Sequence, residues 1–278
     1  MTTIFGLADN YTINECRYFL NSLQQIDFQG ELILFSNTLK ARNVKKYKFC
    51  KIIKKPLKYI NLTYDENILR YYYFLDYIKE NITHNDKILF TDIRDTIFQN
   101  NNIFDTVMEK GIYFFRENKN NLIFTEDWHN IWYKDIERKD MLDLNSKKKF
   151  IYCSGIHLFK NKQYAIQYCE LFKQKATDYK KYTWKLMDQP VHQMVIYEDK
   201  IDSKKLFFNE NNEFVFHMGL CDEKEYSINE QEYEAKNYSL KNKKHSNTKI
   251  CLKKSVPSII HQYDRRERAT NLIKKLYS

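Results

Sequence analysis

The feature that most constrains this fold is an apolar run that ends in two carboxylates, within the stretch 87–99, KILFTDIRDTIFQ. Ile88 to Phe90 are typical of a buried strand, and Asp92 and Asp95 follow where that strand would leave its sheet. Ligands of open α/β sheets bind beyond the carboxyl ends of the strands, so both acids are expected to face a crevice. Carboxylate oxygens there can hold a hard divalent cation. The alternative is that the two aspartates only form a turn, since Asp is a common turn residue.

The segments around this stretch alternate between predicted strands and helices. Strands are predicted at 3–8, 31–35 and 111–116, and residues 13–25 and 66–80 carry apolar side chains at helical spacing. Such alternation predicts a doubly wound α/β sheet.

Two later stretches set polar residues among apolar ones. In YCSGIHLF, Ser154 and Gly155 interrupt a strand pattern, and a Gly there often marks the close approach of a ligand or another backbone. In DQPVHQMVIY, Asp188 and Pro190 suit the first turn of a helix, and capping alone would explain them.

The net charge of +10 is concentrated in the C-terminal arm. Residues 239–278 contain 11 Lys and Arg against 2 Asp and Glu, a local balance of +9 that leaves +1 for the first 238 residues. A basic arm on a nearly neutral body suits an anionic membrane surface, a diphosphate ligand or solubility better than a nucleic-acid groove. We therefore expect no nucleic-acid partner, and the basic amphipathic end of the arm makes peripheral contact with an anionic membrane an option.

The N-terminus and the cysteines bear on cellular location. The start MTTIFGLADN lacks the basic and apolar regions of a signal peptide, and no run has the length of a membrane span. A cytoplasmic protein is expected, with peripheral contact at the cytoplasmic face of the membrane as a further option. The six cysteines are scattered without a CxxC pair, so neither a zinc knuckle nor a disulfide framework is predicted.

Together, five places in the chain resemble the GT-A class of nucleotide-sugar glycosyltransferases, in particular a bacterial and viral group with a TD-x-RD motif. They are IFGLADNYTINECRYFLNSL, Arg70 in the helix before the acidic strand, ILFTDIRDTIFQ, YCSGIHLF with DQPVHQMVIY, and the closing IIHQYDR. The resemblance covers almost the whole chain. It implies a Rossmann-like GT-A fold, with a mixed, mostly parallel central sheet flanked by helices and a C-terminal arm. The catalytic domain would span 1–221, a polar loop or linker 222–254, and a segment closing on the active site 255–278.

The resemblance also implies roles for individual residues. The metal ligands would be Asp92, Asp95 and His261. Asp188 and Asp92 would act at the transferred sugar. Contacts with the nucleotide and its diphosphate would come from Gly6, Leu7, Ala8, Asp9, Arg70, Arg94 and Arg265. The sugar and acceptor site would be lined by Ser154, Gly155 and Gln189. In this chain two residues separate the acids where the common motif has one, so which aspartate reaches the metal directly stays open.

The implied reaction moves a sugar from a nucleoside-diphosphate sugar, expected to be UDP-linked, to a glycan or other hydroxyl acceptor, with Mn²⁺ or Mg²⁺ as cofactor. A divalent cation on the diphosphate stabilises the leaving group, which fits a site made of carboxylates and an imidazole. The helix start at Asp188 resembles that of retaining enzymes, which favours retention of the anomeric configuration.

Two other functions remain open at this point. FTDIRDTIF also resembles the strand and Asp-x-Asp-x-Thr motif of haloacid-dehalogenase-like phosphohydrolases, although Arg94 replaces the second acid and the motif lies mid-chain. The non-enzymatic alternative is a basic binding protein that acts through its arm. Single residues also have ordinary explanations: His261 as a partly buried histidine, Arg70 as a solvated helix residue, and Trp128 and Trp132 as packing under a loop rather than stacking on a sugar.

Overall fold

A computed structural model describes residues 1–59, 61–83, 86–105, 108–117, 122–138, 141, 149–179, 187–198, 206–209, 214–220, 226–229, 249–252 and 256–277. The strands are β1 Thr2–Leu7, β2 Glu31–Phe35, β3 Cys50–Ile53, β4 Lys87–Thr91, β5 Thr96–Phe98, β6 Ile112–Arg116, β7 Tyr152–Phe159, β8 Leu206–Asn209, β9 Val215–His217, β10 Tyr226–Asn229, β11 Lys249–Leu252 and β12 Ile259–His261. The α-helices are α1 Ile13–Gln25, α2 Glu66–Asn81, α3 Asn102–Asp105, α4 Asp127–Asp135, α5 Lys162–Tyr179, α6 Asp188–Glu198 and α7 Glu267–Tyr277.

Among the residues that the structure describes, the central sheet has seven strands, in the order β3-β2-β1-β4-β7-β6-β8. Six of them run parallel, and β7 runs antiparallel between β4 and β6. The prediction of a mixed, mostly parallel sheet is therefore confirmed. Because β7 lies beside β4, the Ser-Gly stretch of β7 is brought next to the acids that follow β4.

Helices α1 and α2 each combine a capped N-terminal end with an apolar face. At the start of α1, the Thr12 backbone N–H donates to Glu15 Oε2 at 2.7 Å, and the Asp65 carboxylate accepts from the Asn67 backbone N–H at 2.8 Å at the start of α2. These bonds satisfy donors that a helix start leaves unpaired. The helices predicted over 13–25 and 66–80 are confirmed, the second extending one residue further.

Two apolar cores lie on opposite faces of the sheet. Ile4 and Phe5, neighbours in β1, are both fully buried but belong to different cores, as the alternation of side chains along a strand requires. Helices α2, α5 and α6 cover one face, and α1 covers the other. Aromatic rings fill the first core: the centroids of Phe74 and Phe90 lie 4.8 Å apart.

A second sheet attaches the C-terminal segment to the rest of the chain. It has the order β5-β12-β9, with β12 antiparallel to β5 and parallel to β9. Helix α7 packs on this sheet through the buried residues Ala269, Ile273 and Tyr277. The apolar face of the terminal helix therefore contacts the protein itself. None of the described helices is long and apolar enough to cross a membrane.

The predicted linker and the cysteines are described only in part. Strands β10 and β11 both lie within the 222–254 range and pair antiparallel. Most of the range lies outside the described residues. Five cysteines are free thiols, and Cys221 lies outside the described part of the chain. The five are Cys16, Cys50, Cys153, Cys169 and Cys251.

Candidate active site

The two predicted metal-binding acids lie in the short connection between β4 and β5. The Asp92 backbone N–H donates to the Gly155 carbonyl of β7 at 2.8 Å, which fixes the chain as it leaves the sheet. Asp92 and Asp95 then face His261 at the end of β12: His261 Nε2 lies 3.3 Å from Asp92 Oδ2 and 3.5 Å from Asp95 Oδ1. The two-residue spacing between the acids thus still brings both carboxylates to one imidazole.

His261 is almost completely buried, with 1% of its surface exposed. Its Nε2 has no hydrogen-bond partner among the described residues, although two carboxylates lie close by. Burial lowers the pKa of His261, but the Cys153 thiol and the carboxylates of Asp95 and Asp92 outweigh it, so that the net pKa lies well above the usual value. A partly buried histidine without further contacts does not describe this residue.

The three side chains fit a hard divalent cation. Their donor atoms lie within 4.8 Å of one another, and two carboxylate oxygens with one imidazole nitrogen form a ligand set that Mn²⁺ accepts. Both carboxylates approach the same edge of the buried His261 ring, at 3.3 and 3.5 Å from Nε2, so a cation between them would reach all three donors. A bound cation would take the place of the proton on this nitrogen.

Arg70 of α2 connects two acids that are distant in sequence. Its Nη2 donates to Asp188 Oδ2 at 2.7 Å and to the Ser154 carbonyl at 2.8 Å, and its Nη1 donates to Asp92 Oδ1. Only 5% of Arg70 is exposed, so the explanation of Arg70 as a solvated helix residue is wrong. It is a buried cation between two carboxylates.

The two acids respond differently to this cation. Burial alone would raise the pKa of Asp92, but Arg70 and His261 outweigh it and hold the pKa below its usual value. For Asp188, burial dominates and raises the pKa, although Arg70 opposes the rise. Asp92 therefore stays ionised, as a cation ligand must. Asp188, at the start of α6, directs its carboxylate to Arg70.

Gly155 allows these groups to approach one another. A Cβ on Gly155 would lie 2.9 Å from His261 Cε1 and closer still to the Asp92 carboxylate. The adjoining Ser154 backbone N–H donates to Gln189 Oε1 at 2.7 Å, and Gln189 Nε2 donates to the Tyr152 carbonyl at 2.8 Å. These bonds join β7 to the first turn of α6. The structure thus brings Ser154, Gly155, Asp188 and Gln189 together.

Two adjoining cavities open at this edge of the sheet and share Asn67, Asp92 and Arg265. The first has a volume of about 400 Å³. Predicted residues that line it are Leu7, Asp9, Arg70, Asp92, Arg94, Asp95 and Arg265. The second has a volume of about 530 Å³. Predicted residues that line it are Asp92, Ser154, Gly155, Asp188, Gln189, His261 and Arg265.

Two of the predicted nucleotide contacts line neither cavity. Gly6 lies beneath Ile93, whose Cγ1 would be 2.6 Å from a Cβ on this residue. Ala8 is fully buried, and its carbonyl accepts from Ser36 Oγ at 2.7 Å. Both residues therefore shape the strand end behind the cavity wall.

Charged partners surround the first cavity. Asp9 pairs with Lys55 at 2.8 Å, and the same Lys55 Nζ pairs with Glu66 at 2.8 Å. Arg94 Nη2 lies 3.5 Å from Asp264 Oδ2. Arg94 is largely exposed, so this last pair leaves its guanidinium accessible.

Several residues that line the cavities were not predicted from the sequence. Asn67 lies one helical turn before Arg70, and the i, i+3 spacing on an α2 face could have found it. Glu117 follows β6 directly, just as Asp92 follows β4, so the strand-end rule applies to it as well. Burial raises the pKa of Glu117. Tyr11 also lines the first cavity, and it carried no sequence signal of this kind.

The two tryptophans line the second cavity beside His129. Trp128 is 66% exposed, and its ring centroid lies 6.4 Å from that of Trp132, with the rings nearly stacked. Packing under a loop does not account for so exposed a ring. An aromatic surface thus faces the cavity.

Comparison with known proteins reveals likeness at the level of fold. No protein-family model matches the chain, and no curated protein matches it. An active-site mutant of LgtC is 13% identical over 100% of this chain and 97% of that chain, with a TM-score of 0.55. The galactosyltransferase LgtC in complex with donor and acceptor sugar analogues is 14% identical over the same shares, with a TM-score of 0.50. The bifunctional glycosyltransferase WbbM is 12% identical over 78% of this chain and 40% of that chain, with a TM-score of 0.51. These likenesses identify the fold as the GT-A glycosyltransferase fold.

Proposed function

We propose that this chain is a glycosyltransferase that moves a sugar from a nucleoside-diphosphate sugar to a hydroxyl acceptor. The observation that carries the proposal is the meeting of two cavities at Asp92 and Arg265, next to a set of donors suited to a divalent cation. A transfer between two substrates needs two adjoining sites with the reacting bond at their junction. The solved structure of LgtC with donor and acceptor sugar analogues, which shares this fold, supports that interpretation.

The first cavity is proposed to hold the nucleoside diphosphate. Arg94 and Arg265 line it, and a guanidinium binds phosphate oxygens in a bidentate manner. Asp9, two residues after β1, offers a carboxylate to ribose hydroxyls, and Tyr11 adds an aromatic ring. A volume of about 400 Å³ lies within the range of small-molecule sites. Uridine diphosphate is the nucleotide that we propose.

Asp92, Asp95 and His261 are proposed to hold Mn²⁺ or Mg²⁺ at the junction of the cavities. When bound, the cation would neutralise charge that develops on the leaving diphosphate. Arg265, which lines both cavities, adds positive charge at the same place without needing to reorganise. Arg70 holds Asp92 in the orientation in which its Oδ2 faces His261.

The second cavity is proposed to hold the transferred sugar and the acceptor. Asp188 and Gln189 line it on one side, and Trp128 and Trp132 line it as well. The C–H faces of a sugar ring can pack on an indole, while its hydroxyls need polar partners. A glycan is therefore the acceptor class that this cavity suits best.

Retention of configuration is the stereochemical outcome that we propose. Asp188 is held in a buried ion pair with Arg70, which leaves it poorly placed to remove a proton from an acceptor hydroxyl. Glu117 lines the same cavity and has a raised pKa, so it would be the base of an inverting reaction. The anomeric configuration of the product, determined by NMR, distinguishes retention from inversion. A product with the configuration opposite to that of the donor would overturn retention.

The decisive test of the function is a thermal-shift panel of nucleoside diphosphates with and without Mn²⁺. A ligand that binds the native state raises the midpoint of unfolding, so UDP should shift it most when Mn²⁺ is present. Hydrolysis of a UDP-sugar and of p-nitrophenyl phosphate should then be compared. Turnover of the phosphate ester without turnover of the nucleotide sugar would support the phosphohydrolase. Absence of both activities and of any shift would support a binding protein.

A further inference from the structure

We infer that Cys153, His217 and His261 form a second cation site, suited to Zn²⁺, on the inner side of the His261 ring. The proposed transferase reaction uses neither Cys153 nor His217. The site shares His261 with the carboxylate pair, so a zinc ion bound there would compete with Mn²⁺ for this ligand. The competition rests on the proposed function, whereas zinc binding does not.

The three side chains come from three different strands. Cys153 lies in β7, and His217 and His261 end β9 and β12, which pair in parallel with these two histidines in register. Paired residues of neighbouring strands project to the same side of a sheet, which brings both rings to Cys153. All three residues are buried, and their donor atoms lie within 4.8 Å of one another.

Two of the three ligand separations are close to those of a tetrahedral zinc site. His261 Nδ1 lies 3.5 Å from Cys153 Sγ and 2.9 Å from His217 Nδ1. Zinc bonds of about 2.3 Å to sulfur and 2.0 Å to nitrogen place tetrahedral ligands about 3.5 Å apart for N and S, and about 3.3 Å apart for two N. The Cys–His separation already fits, and the two imidazoles need to part by only about 0.4 Å.

The chemistry of the donors separates this site from the outer one. A thiolate and two imidazoles favour Zn²⁺, whereas two carboxylates and one imidazole favour Mn²⁺ or Mg²⁺. Cys153 and His261 also line the 530 Å³ cavity, which provides an entry path. Glu117 or water on the cavity side can supply the fourth ligand.

The two sites use opposite edges of one imidazole. Nε2 of His261 faces Asp92 and Asp95, and Nδ1 faces Cys153 and His217. Two divalent cations on opposite edges of one imidazole repel each other. Zinc should therefore lower the affinity of the protein for Mn²⁺.

The test uses the full chain, reduced and freed of metal, and titrates it with Co²⁺ as a spectroscopic substitute for Zn²⁺ and with Zn²⁺ by calorimetry. The wild type should show a thiolate-to-cobalt charge-transfer band, and Zn²⁺ should weaken Mn²⁺ binding. Cys153→Ser should lose the band and bind Zn²⁺ about tenfold more weakly or worse, since even indirect contacts to a metal contribute that much. Its hydroxyl can still accept from the Gly155 N–H, which Sγ now accepts at 3.3 Å, so the fold should persist.

Matched variants distinguish the two sites. Cys169→Ser removes another buried thiol, which lies in α5 outside the cluster, and should leave zinc binding unchanged. His217→Asn should weaken Zn²⁺ binding like Cys153→Ser, and it provides a second measurement if the serine variant fails to fold. Asp95→Asn should weaken Mn²⁺ binding and spare Zn²⁺ binding.

A wild type without the thiolate band would overturn the inference. So would Zn²⁺ affinity that falls in Asp95→Asn but not in Cys153→Ser, because zinc would then occupy the carboxylate site. Zinc binding that persists in a protein with no affinity for Mn²⁺ or UDP would contradict the proposed transferase and leave the inner site standing.

Discussion

Arg70 and Asp188 are 118 positions apart in the chain, and their side chains form a buried ion pair with 2.7 Å between Nη2 and Oδ2. The same guanidinium also binds Asp92. One cation therefore sets the position of the acid after β4 relative to the acid at the start of α6. The planar fork of Arg suits this double contact, which a single ammonium could not make with the same geometry.

The first prediction concerns the stability that depends on Arg70. Arg70→Ala leaves the largely buried Asp188 without its counter-charge, so the free energy of unfolding should fall by about 3–5 kcal/mol. Urea denaturation measures this change. Lys79→Ala on the same helix is the control, because it breaks an exposed pair with Glu170 and should cost about 0–1 kcal/mol. Equal losses in the two variants would show that the buried pair does not stabilise the fold.

The second prediction concerns the carboxylate site. Asp95→Asn removes one negative ligand and should lower Mn²⁺ affinity by about tenfold or more, and with it the thermal shift that UDP gives in Mn²⁺. Calorimetry and the midpoint of unfolding measure the two effects. Asp178→Asn, at an exposed position on α5, is the matched control and should change neither. An unchanged Mn²⁺-dependent shift in Asp95→Asn would refute the assignment of this ligand.

The third prediction tests the close approach at Gly155. In Gly155→Ala the new methyl group would press on the Asp92 carboxylate and on the His261 ring, so the ligands must shift and Mn²⁺ affinity should fall. Gly111→Ala is the control, since its methyl group would meet the Tyr164 ring, away from the acids. Both variants should lose stability, but Gly111→Ala should retain Mn²⁺ affinity. The crowding argument fails if Gly155→Ala binds Mn²⁺ as well as the wild type does.

Local patterns were sufficient to predict where the acids and the glycine lie. An apolar run followed by Asp92 marks a strand end, and a Gly inside a strand marks a close approach, as Gly155 shows by lying against Asp92. These rules act over a few residues, which is why the bounds of β1, β2, β6, α1 and α2 could be predicted to within one residue.

Contacts between distant elements could not be predicted in the same way. The helical pattern of α2 allowed Arg70 to be interpreted as a solvated residue. A local pattern contains no information on the buried carboxylate at the start of α6. His217 meets His261 only because β9 pairs with β12, which local sequence does not reveal. The strand-end rule marks Glu117 as an acid at a strand end, but which cavity it lines depends on the position of β6 beside β7. The order of strands in the sheets decides the last two, whereas the first contact is made between two helices.

The last prediction concerns acid sensitivity, which arises from buried imidazoles away from the proposed substrates. His157 of β7 is fully buried among aromatic rings, and neither of its ring nitrogens has a hydrogen-bond partner among the described residues. Burial, with the neighbouring His192, holds the pKa of His157 well below its usual value, and burial lowers the pKa of His192 to about 3. Both rings are therefore neutral in the folded protein and gain a proton when it unfolds below pH 6.5.

The unfolded state thus binds more protons than the folded state in this range, so stability is complete above pH 6.5 and falls as the pH decreases below it. Each such histidine should contribute a slope of about 1.4 kcal/mol per pH unit. Urea denaturation between pH 7.5 and pH 5 measures how the free energy of unfolding depends on pH. The slope should be smaller for His157→Phe than for the wild type, by about one histidine's contribution. Phe159→Leu disturbs the same cluster without removing a titratable group, so it should lower stability at every pH and keep the wild-type slope. If His157→Phe also keeps that slope, His157 is protonated in the folded protein, and its burial does not cause the loss of stability in acid.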